Sequence, residues 1–482
     1  MSQSKFIQYL AFLSPADRAA FRAFVHSPYF NKHKNTRKLL DFILGQKQLP
    51  QALDKERAFE FVFPQRAYEE QLISNLLSYL LKLLRHFHST QRQQQDSAGL
   101  QLSLLEHALL YQNENLFTLG SKKFQQQLAQ SPRQDSQHHF LQHKHRRLLD
   151  KYDIQFGKRD DGEHLEQALQ DFQIFSIGEN LKIACQMLAR KQVTGQAYHF
   201  SFLTIMVGFV DSQKTHFAQY PSVWNYFIIY KMMTDSSPSY YFELKERLSR
   251  EAKLFSHQEG RDLYTHALNY CIGQLNLGVN AFRKESFELY QQMLDNKLLF
   301  VEDQIPQWDY TNIVALGCEL QEYEWVGRFI EEQKNALPSA YALNTYTYNL
   351  AAFHYSQQQY RQASELLNKV EFQDLYYQLI TRLLLLKIYF EQGEWKALDY
   401  SIDNFRIFLL RTKKMEEKRR KSGRNLLRFT KQLSHMLEKR TTFSKKEFQH
   451  KLQVLKDKIA ACQLLLNRSW LLQHIEKELA SG

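Results

Sequence analysis

Apolar residues recur along this chain at the spacings of three and four residues that are typical of amphipathic helices. Leucines at steps of four from Leu72 to Leu84 mark one such helix, and helix-compatible segments follow one another from residue 102 to residue 300. No stretch alternates apolar and polar residues for long enough to predict a strand. The pattern therefore predicts an all-α protein.

Two helix starts are specified by their capping residues. Ser14 precedes Pro15 and Asp17, which places a hydroxyl acceptor, a helix-compatible proline and a carboxylate at a first turn. Ser444 and Glu447 have the spacing of a capping box, in which each side chain binds the other residue's amide. We expect a helix to begin at each site.

The composition agrees with the helical prediction. Sixteen glycines and nine prolines among 482 residues are about 5% of the chain, where roughly 12% is usual. A hydrophobic content of 44% with 24% charged residues is typical of a folded protein. The chain is too long for one compact core, which predicts several domains or an elongated repeat array.

A repeat of helical hairpins follows residue 300. Trp325, Tyr360 and Trp395 are spaced by 35 residues, and four apolar columns precede each of them. One hairpin cannot bury its apolar face alone, so we expect neighbouring hairpins to stack. The columns are Ala315, Leu350 and Leu385; Leu316, Ala351 and Leu386; Cys318, Phe353 and Ile388; and Leu320, Tyr355 and Phe390.

Residues 389–395, Tyr-Phe-Glu-Gln-Gly-Glu-Trp, and residues 354–363 resemble the hinge between the two helices of the tetratricopeptide-repeat family. Ala363 occupies the small position of that family's second helix, and the resemblance covers about residues 310–405. It implies a TPR-like α-solenoid, an elongated array of helix-turn-helix hairpins.

The resemblance departs from the family pattern at defined positions. Only Gly393 supplies the hinge glycine, and the small position of the second helix holds Arg328 in one unit and Leu398 in another. The helix pairs before residue 300 carry no phase that the sequence alone assigns.

In this family the first helices line a groove that binds a partner peptide, and the resemblance places seven residues there. The alternative is that Tyr355 and Phe390 pack on the following segment and fill the groove from within. The groove residues implied by the resemblance are Tyr310, Gln321, Tyr348, Tyr355, Ser356, Lys387 and Glu391.

Charge is distributed unevenly along the chain. Residues 1–410 hold 44 basic and 44 acidic residues, whereas residues 411–482 hold 19 basic and 7 acidic ones. The segment 301–410 has 8 basic and 15 acidic residues, and residues 411–440 have 12 and 3. An acidic segment thus adjoins a basic one, which indicates an interaction with a partner or between the two segments.

The basic tail predicts two amphipathic helices that form a hairpin joined at residues 441–443. The second helix carries an apolar seam from Phe448 to Leu466. The first, treated as one helix over residues 411–440, has apolar residues on one side, with Leu427 as the exception. Its other side carries a basic stripe of Lys413, Arg420, Arg424, Arg428 and Lys431.

Three interpretations of the stripe stay open at this stage. It is a solvated face or one paired with segment 301–410, a surface for a protein partner, or a surface for the phosphate backbone of nucleic acid. Base stacking is poorly supported, because Phe429 is the one aromatic residue there and it lies on the opposite side. An anionic membrane surface is weaker still, because the apolar face is needed for packing.

No motif of catalysis or cofactor binding occurs. The sequence contains no phosphate loop, dinucleotide-binding turn, zinc-protease helix, nucleophile elbow or kinase signature. The four cysteines lie far apart. His138, His139, His143 and His145 are flanked by basic residues that would repel a cation, so we expect them to be solvated. The sequence predicts no catalytic, cofactor-binding or metal-binding residue, and no enzyme.

Five regions are predicted, with a cytoplasmic location because neither a signal peptide nor a membrane span is evident. The predicted function is a non-catalytic scaffold that binds a protein or peptide through the TPR-like surface. The alternative is a nucleic-acid-associated protein that uses the basic tail. The regions are an N-terminal helical region (1–90), a glutamine-rich linker (91–101), a middle helical region (102–300), TPR-like repeats (301–410) and a basic C-terminal helical hairpin (411–482).

Overall fold

The computed structural model is all-α, as the sequence predicts. No strand occurs among the residues it describes, where Val301 and Gln304 form one isolated bridge. No helix in the described part of the chain has the length and apolar composition that crossing a membrane requires. The described residues are 4–46, 54–158, 162–235, 237–368, 374–412 and 415–480.

The chain forms two compact units, residues 1–179 and residues 180–482, and the boundary lies inside a long helix. The middle region predicted over residues 102–300 is therefore divided between both units. The helices up to the boundary are α1 (Lys5–Ala11), α2 (Pro15–His26), α3 (Lys34–Leu44), α4 (Lys55–Val62), α5 (Glu70–Gln95), α6 (Ser97–Leu110), α7 (Glu114–Gln130), α8 (Ser136–Gln155) and α9 (Glu163–Thr194).

The first unit has two apolar cores, one shared by α1–α5 and one shared by α6–α8. Ser14 accepts a hydrogen bond from the Asp17 amide and caps α2, as its position predicts. The glutamine-rich stretch predicted as a linker is helical instead. Helix α5 continues through Gln95, and the Asp96 carboxylate accepts from the Gly99 amide to start α6 at once.

The second unit continues with helices that pack as neighbouring pairs. The first six of them are α10 (Ser201–Ser212), α11 (Lys214–Phe217), α12 (Pro221–Thr234), α13 (Ser239–Glu251), α14 (His257–Asn276) and α15 (Phe282–Asp295). The next six are α16 (Gln307–Glu319), α17 (Tyr323–Glu332), α18 (Ala342–Ser356), α19 (Tyr360–Asn368), α20 (Leu375–Glu391) and α21 (Trp395–Arg411).

Five hairpins follow one another from α12 to α21. The two helices of each hairpin pack together, and each hairpin packs on the next, through its first helix at α12, α16 and α18 and through its second helix at α15. Two of the five, α12–α13 and α14–α15, precede residue 300, so the structure supplies the phase that the sequence did not assign. The first helices of the five hairpins are α12, α14, α16, α18 and α20.

Described residues 415–480 contain three α-helices, where the sequence predicts two in the basic tail. Helix α22 (Glu417–Glu438) and helix α23 (Lys445–Ala461) form the predicted antiparallel hairpin, and α24 (Arg468–Ala480) packs against both. The Asn425 side-chain amide in the first half of α22 donates to the Leu464 carbonyl just beyond α23, at 2.8 Å. The capping box at Ser444 is formed, as predicted.

The C-terminal bundle, defined as α22, α23 and α24, shares an apolar core with α20 and α21. Gly423 allows this contact, since a Cβ there would lie 2.9 Å from Leu409 Cδ1 of α21. Leu427, the exception to the predicted apolar side, is also buried, because α22 has neighbours on more than one side.

Candidate interaction surfaces

The helical hairpins in residues 307–411 follow the predicted register except in the first of them, α16–α17, where the register differs by two residues. The second helices begin at Tyr323, Tyr360 and Trp395. Trp325 is therefore not equivalent to Tyr360, and the repeat length is 37 residues from Tyr323 to Tyr360 and 35 residues from Tyr360 to Trp395. Nine residues separate α17 from α18, whereas six separate α19 from α20. The longer connection changes the register of the hairpin α16–α17 relative to the two that follow.

The corrected register explains the hinge and the small position. Gln321 and Gln358 adopt φ angles of 63° and 62°, next to 67° for Gly393, so two glutamines replace the hinge glycine in a left-handed conformation. The small position three residues into each second helix is fully buried. The residues there are Val326, Ala363 and Leu398, whereas Arg328, which the sequence analysis placed at this position, is exposed and lies two residues further along α17.

Two residues of the hairpin α16–α17 that were predicted to line the groove do not face it. Tyr310 is fully buried in its own hairpin, where its hydroxyl donates to the Ile330 carbonyl at 3.0 Å. Gln321 lies in the turn between α16 and α17 rather than on a helix. In the corrected register Glu319 is equivalent to Ser356 and Glu391.

The N-terminal halves of α16, α18 and α20 are joined by a buried hydrogen-bond network. The Tyr377 hydroxyl lies 3.1 Å from Thr311 Oγ1 and donates to Thr345 Oγ1 at 3.2 Å, and the Asn349 amide donates to Thr311 Oγ1 at 3.1 Å. Tyr348 packs its ring against Tyr377, with centroids 5.6 Å apart. Side chains of the repeats themselves therefore fill this part of the predicted groove.

The C-terminal ends of α18 and α20 are covered by α24. The Glu391 carboxylate accepts hydrogen bonds from Trp470 Nε1 at 3.1 Å and from the Tyr355 hydroxyl at 3.4 Å, and its Oε1 lies 2.9 Å from His474 Nε2. The Phe390 ring contacts Trp470 at 5.1 Å and His474 at 5.0 Å. This is the alternative in which Tyr355 and Phe390 pack on a following segment.

Burial and hydrogen bonding act in opposite directions on Glu391. Burial raises its pKa, but hydrogen bonds from His474, Trp470 and Tyr355 outweigh burial and hold the pKa below its usual value. The carboxylate is thus a charged acceptor at the centre of the contact between α20 and α24.

The other two predicted groove residues also lie on this face. Burial lowers the pKa of Lys387, against the attraction of Glu319 and Glu391, and its Nζ lies 5.7 Å from the Trp470 ring centroid. Ser356 donates to the Phe353 carbonyl, and its own carbonyl accepts from the Tyr323 hydroxyl. Helix α24 therefore occupies the surface around Glu391 that α20 and the end of α18 would otherwise present.

The structure divides the predicted basic stripe. Lys413 lies outside the described residues. Arg420 and Arg424 both form ion pairs with Glu417, Arg428 lies over the Phe429 ring at 4.6 Å, and Lys431 Nζ lies 3.6 Å from an Asp399 oxygen. Lys431 alone among the described stripe residues forms an ion pair with segment 301–410.

An open groove lies between α22 and α23 and was not predicted. Its volume is about 710 Å³. Basic side chains from both helices surround an apolar floor, and none of the described residues lining it carries a carboxylate. The signal in the sequence was the pair Lys451 and Lys458, seven residues apart beside the apolar seam of α23. The lining residues are Lys431, Gln432, His435, Met436, Phe443, His450, Lys451, Val454, Leu455 and Lys458.

The histidine cluster of α8 is partly buried, so its predicted solvation is wrong for two members. His139 lies 3.4 Å from Asp171, which also pairs with Arg146 at 2.6 Å. His145 Nε2 lies 2.8 Å from the Ser121 hydroxyl, and burial lowers the pKa of His145 to about 4. Helix packing excluded water from these side chains although basic residues flank them in sequence.

The pair of Ser121 and His145 has the separation of a nucleophile and its base, but its surroundings oppose that role. Both residues are buried, and the Phe124 ring packs on the His145 ring at 4.8 Å. A histidine with a pKa of about 4 is a weak base at neutral pH. We therefore assign this pair a structural role in the core of α6–α8.

Among the described residues, no group of three or more His, Cys, Asp or Glu side chains is placed to hold a metal ion. Comparisons with protein-family models, with curated proteins and with solved structures found no match to this chain.

Proposed function

We propose that this protein is a non-catalytic scaffold that binds another protein. The observation that carries the proposal is the succession of five helical hairpins, α12 to α21, each packed on the next. Successive helical hairpins resemble the TPR arrangement, which builds extended surfaces that bind proteins without chemistry. We further propose that the array is a TPR-like solenoid and that the protein is cytoplasmic.

The partner surface that we propose differs from the TPR-like groove that the sequence predicts. Helix α24 covers Tyr355, Lys387 and Glu391, so a peptide at the predicted groove would have to displace it. The groove between α22 and α23 requires no displacement, because it is open in the structure. We therefore place partner recognition on the C-terminal bundle.

The binding of nucleic acid is less well supported than the sequence alone indicated. Arg420 and Arg424 share Glu417, and the Lys431 ammonium lies close to Asp399. Exposed pairs of this kind contribute little to stability, but they lower the net positive charge that a phosphate backbone would meet. The stripe is thus a weaker footprint than five unpaired cations would be.

Affinity purification of the full chain tests the proposal. The eluate is divided into nuclease-treated and untreated halves, and each is washed at low and at high salt. We expect a protein partner that survives nuclease and high salt, and that an Arg424→Gln/Arg428→Gln variant retains. Recovery of nucleic acid, with all partners lost after nuclease or in that variant, would favour the nucleic-acid alternative.

A further inference from the structure

The groove between α22 and α23 has both an exposed apolar floor and a basic rim. Its floor includes Met436, Phe443 and Val454, and Val454 is 38% exposed although it is aliphatic. Basic side chains stand on both sides of this floor. Apolar surface inside a basic rim is typical of a site that takes a segment with apolar and acidic residues.

The cations on the α23 side have one acidic neighbour, Glu447, which attracts Lys451 while its carboxylate is held in the capping box with Ser444. Neither Lys451 nor Lys458 forms an ion pair within the described part of the chain, and Lys451 Nζ lies 5.1 Å from the Phe443 ring centroid. On the other side, Lys431 lies near Asp399 and His435 lies 4.0 Å from Glu438. The described lining itself holds three lysines and no carboxylate, and the neighbouring carboxylates are those of Asp399, Glu438 and Glu447.

The geometry suits a short helix. Lys451 and Lys458 are separated by about two helical turns, roughly 10 Å along the axis at 1.5 Å per residue. Because α22 and α23 are antiparallel, Lys431 lies toward the Lys458 end and Phe443 toward the turn. A third helix laid between two antiparallel helices can place its apolar residues on the floor and its acidic residues beside the lysines.

We propose that this groove binds an acidic amphipathic helix of a partner protein, with its apolar face on Met436, Phe443 and Val454 and its carboxylates on Lys451 and Lys458. This inference rests on the proposed scaffold function and specifies its partner. Methionine suits such a site, because its unbranched side chain adapts to different apolar partners.

Nucleic acid is a poorer occupant of the same groove. Phosphates would engage the lysines but would leave the Val454 and Met436 surface without a partner. Stacked bases need an open aromatic face, and the Phe443 face already carries the Lys451 ammonium. The observations therefore favour a helix whose two faces match both parts of the groove.

Fluorescence anisotropy with the full-length protein tests the proposal. The probe is a labelled, designed 16-residue helix with Leu and Phe on one face and Glu on the other. A peptide of the same composition in scrambled order keeps the charge and removes the apolar face. We expect a micromolar Kd for the amphipathic peptide and binding at least about tenfold weaker for the scrambled one.

Two variants with the same change in charge locate the site. Lys451→Glu/Lys458→Glu alters the groove, and Lys445→Glu/Lys446→Glu alters exposed lysines of the same helix that do not line it. We expect the first variant to weaken peptide binding about tenfold or more and the second to weaken it less than about threefold. Val454→Asp, at an exposed position, is expected to weaken binding without unfolding, as judged by circular dichroism.

Several outcomes would overturn the proposal. These are no binding, equal binding of both peptides, equal losses in both lysine variants, or a labelled oligonucleotide that binds more tightly than the peptide and depends on Lys451 and Lys458. Self-association that light scattering detects and that Lys451→Glu/Lys458→Glu abolishes would make a second copy the occupant. If the peptide fails but a nuclease-resistant partner is still captured by both lysine variants, the scaffold function stands and the groove assignment falls.

Discussion

Single side chains decide how tightly the helices of this protein approach one another. Gly317 in α16 is the clearest case, since a Cβ there would lie 2.4 Å from Val326 Cγ2 and 2.9 Å from the Phe287 ring. Both of those side chains belong to neighbouring helices, α17 and α15. One missing methyl group thus allows three consecutive helices to pack together.

Gly317→Ala is expected to destabilise the protein by about 1–3 kcal/mol, because overpacking forces neighbouring side chains from their preferred conformations. Gly273→Ala is the matched control, since Gly273 is an exposed helical glycine whose Cβ would meet nothing within 4 Å. Helix propensity predicts that the control is neutral or stabilised by up to about 1 kcal/mol. Urea unfolding measures both, and equal effects would contradict the close approach at Gly317.

Burial of His145 makes the stability of the first unit depend on pH. Its pKa is about 4 in the folded chain and about 6.5 when unfolded. The unfolded chain therefore binds more protons between these values, and stability is lost as pH falls below about 6.5. The contribution is present in full above that pH.

Between pH 7.5 and pH 5.5 we expect His145 to account for a loss of about 1 kcal/mol in the free energy of unfolding. His145→Gln keeps a polar partner for Ser121 but does not titrate, so its loss over this range should be smaller by that amount. Denaturant unfolding at the two pH values provides the comparison. Identical pH dependence in both proteins would show that His145 is not held neutral by burial.

At the scale of elements, the sequence predicted the type of structure better than the register. Helices, the cap at Ser14 and the capping box at Ser444 followed from local patterns and are confirmed. The aromatic spacing gave a register that is two residues off in α16–α17, because two aromatic residues, Tyr323 and Trp325, lie in the first turn of α17. Packing decides between the two registers: Val326, three residues after Tyr323, is buried, whereas Arg328, three residues after Trp325, is exposed.

The register makes a direct prediction about these two neighbours in α17. Val326→Ala removes two buried methyl groups and is expected to cost about 1–3 kcal/mol of stability. Arg328→Ala alters an exposed side chain and should change stability by less than about 0.5 kcal/mol. Thermal or urea unfolding separates the two cases, and a larger loss at Arg328 would restore the register predicted from the sequence.

The contact between α20 and α24 depends on one carboxylate. Glu391→Ala leaves Trp470 Nε1 without its acceptor, and a buried unpaired donor costs about 1–3 kcal/mol. We expect the amides of residues 468–480 to exchange with deuterium faster in this variant. Glu332→Ala, at an exposed position that ends α17, should leave exchange there unchanged.

The same contact has a pH dependence with a definite sign. The pKa of Glu391 is lowered in the folded chain, so its contribution is present above the ordinary pKa of glutamate and is lost as pH falls through the folded value. Exchange of residues 468–480 should therefore rise relative to the other helices in acid. An α24 that is equally protected in Glu391→Ala would contradict the assigned role of this carboxylate.

In the molecule as a whole, the sequence indicated two candidate interaction surfaces, the TPR-like groove and the basic tail. It did not show which of them is open to a partner. The charge asymmetry at residue 411 indicated the tail as an interaction surface, and this stays a prediction. The groove was missed because its lining comes from two helices, with Lys431 and Lys458 far apart in sequence. A helical wheel treats each helix alone and therefore assigned Lys431 to a stripe rather than to the edge of a groove.

The position of α24 over Glu391 also does not follow from local sequence patterns. Whether Tyr355 and Glu391 meet solvent or a partner depends on α24, whose contact residues lie about 80 positions later in the chain. Trp470 and His474 are four residues apart and share one helix face. Their pairing with Glu391 is a long-range contact that composition and periodicity do not encode.

Helix α24 covers the surface around Glu391, and we propose that recognition occurs instead on the C-terminal bundle. Hydrogen–deuterium exchange of the full chain, with and without the designed acidic amphipathic peptide, tests it most directly. We predict slower exchange in residues 431–458 and no change in α16, α18 and α20. Protection of those three helices together with faster exchange in α24 would contradict the claim, because it would show the peptide displacing α24 from the predicted groove.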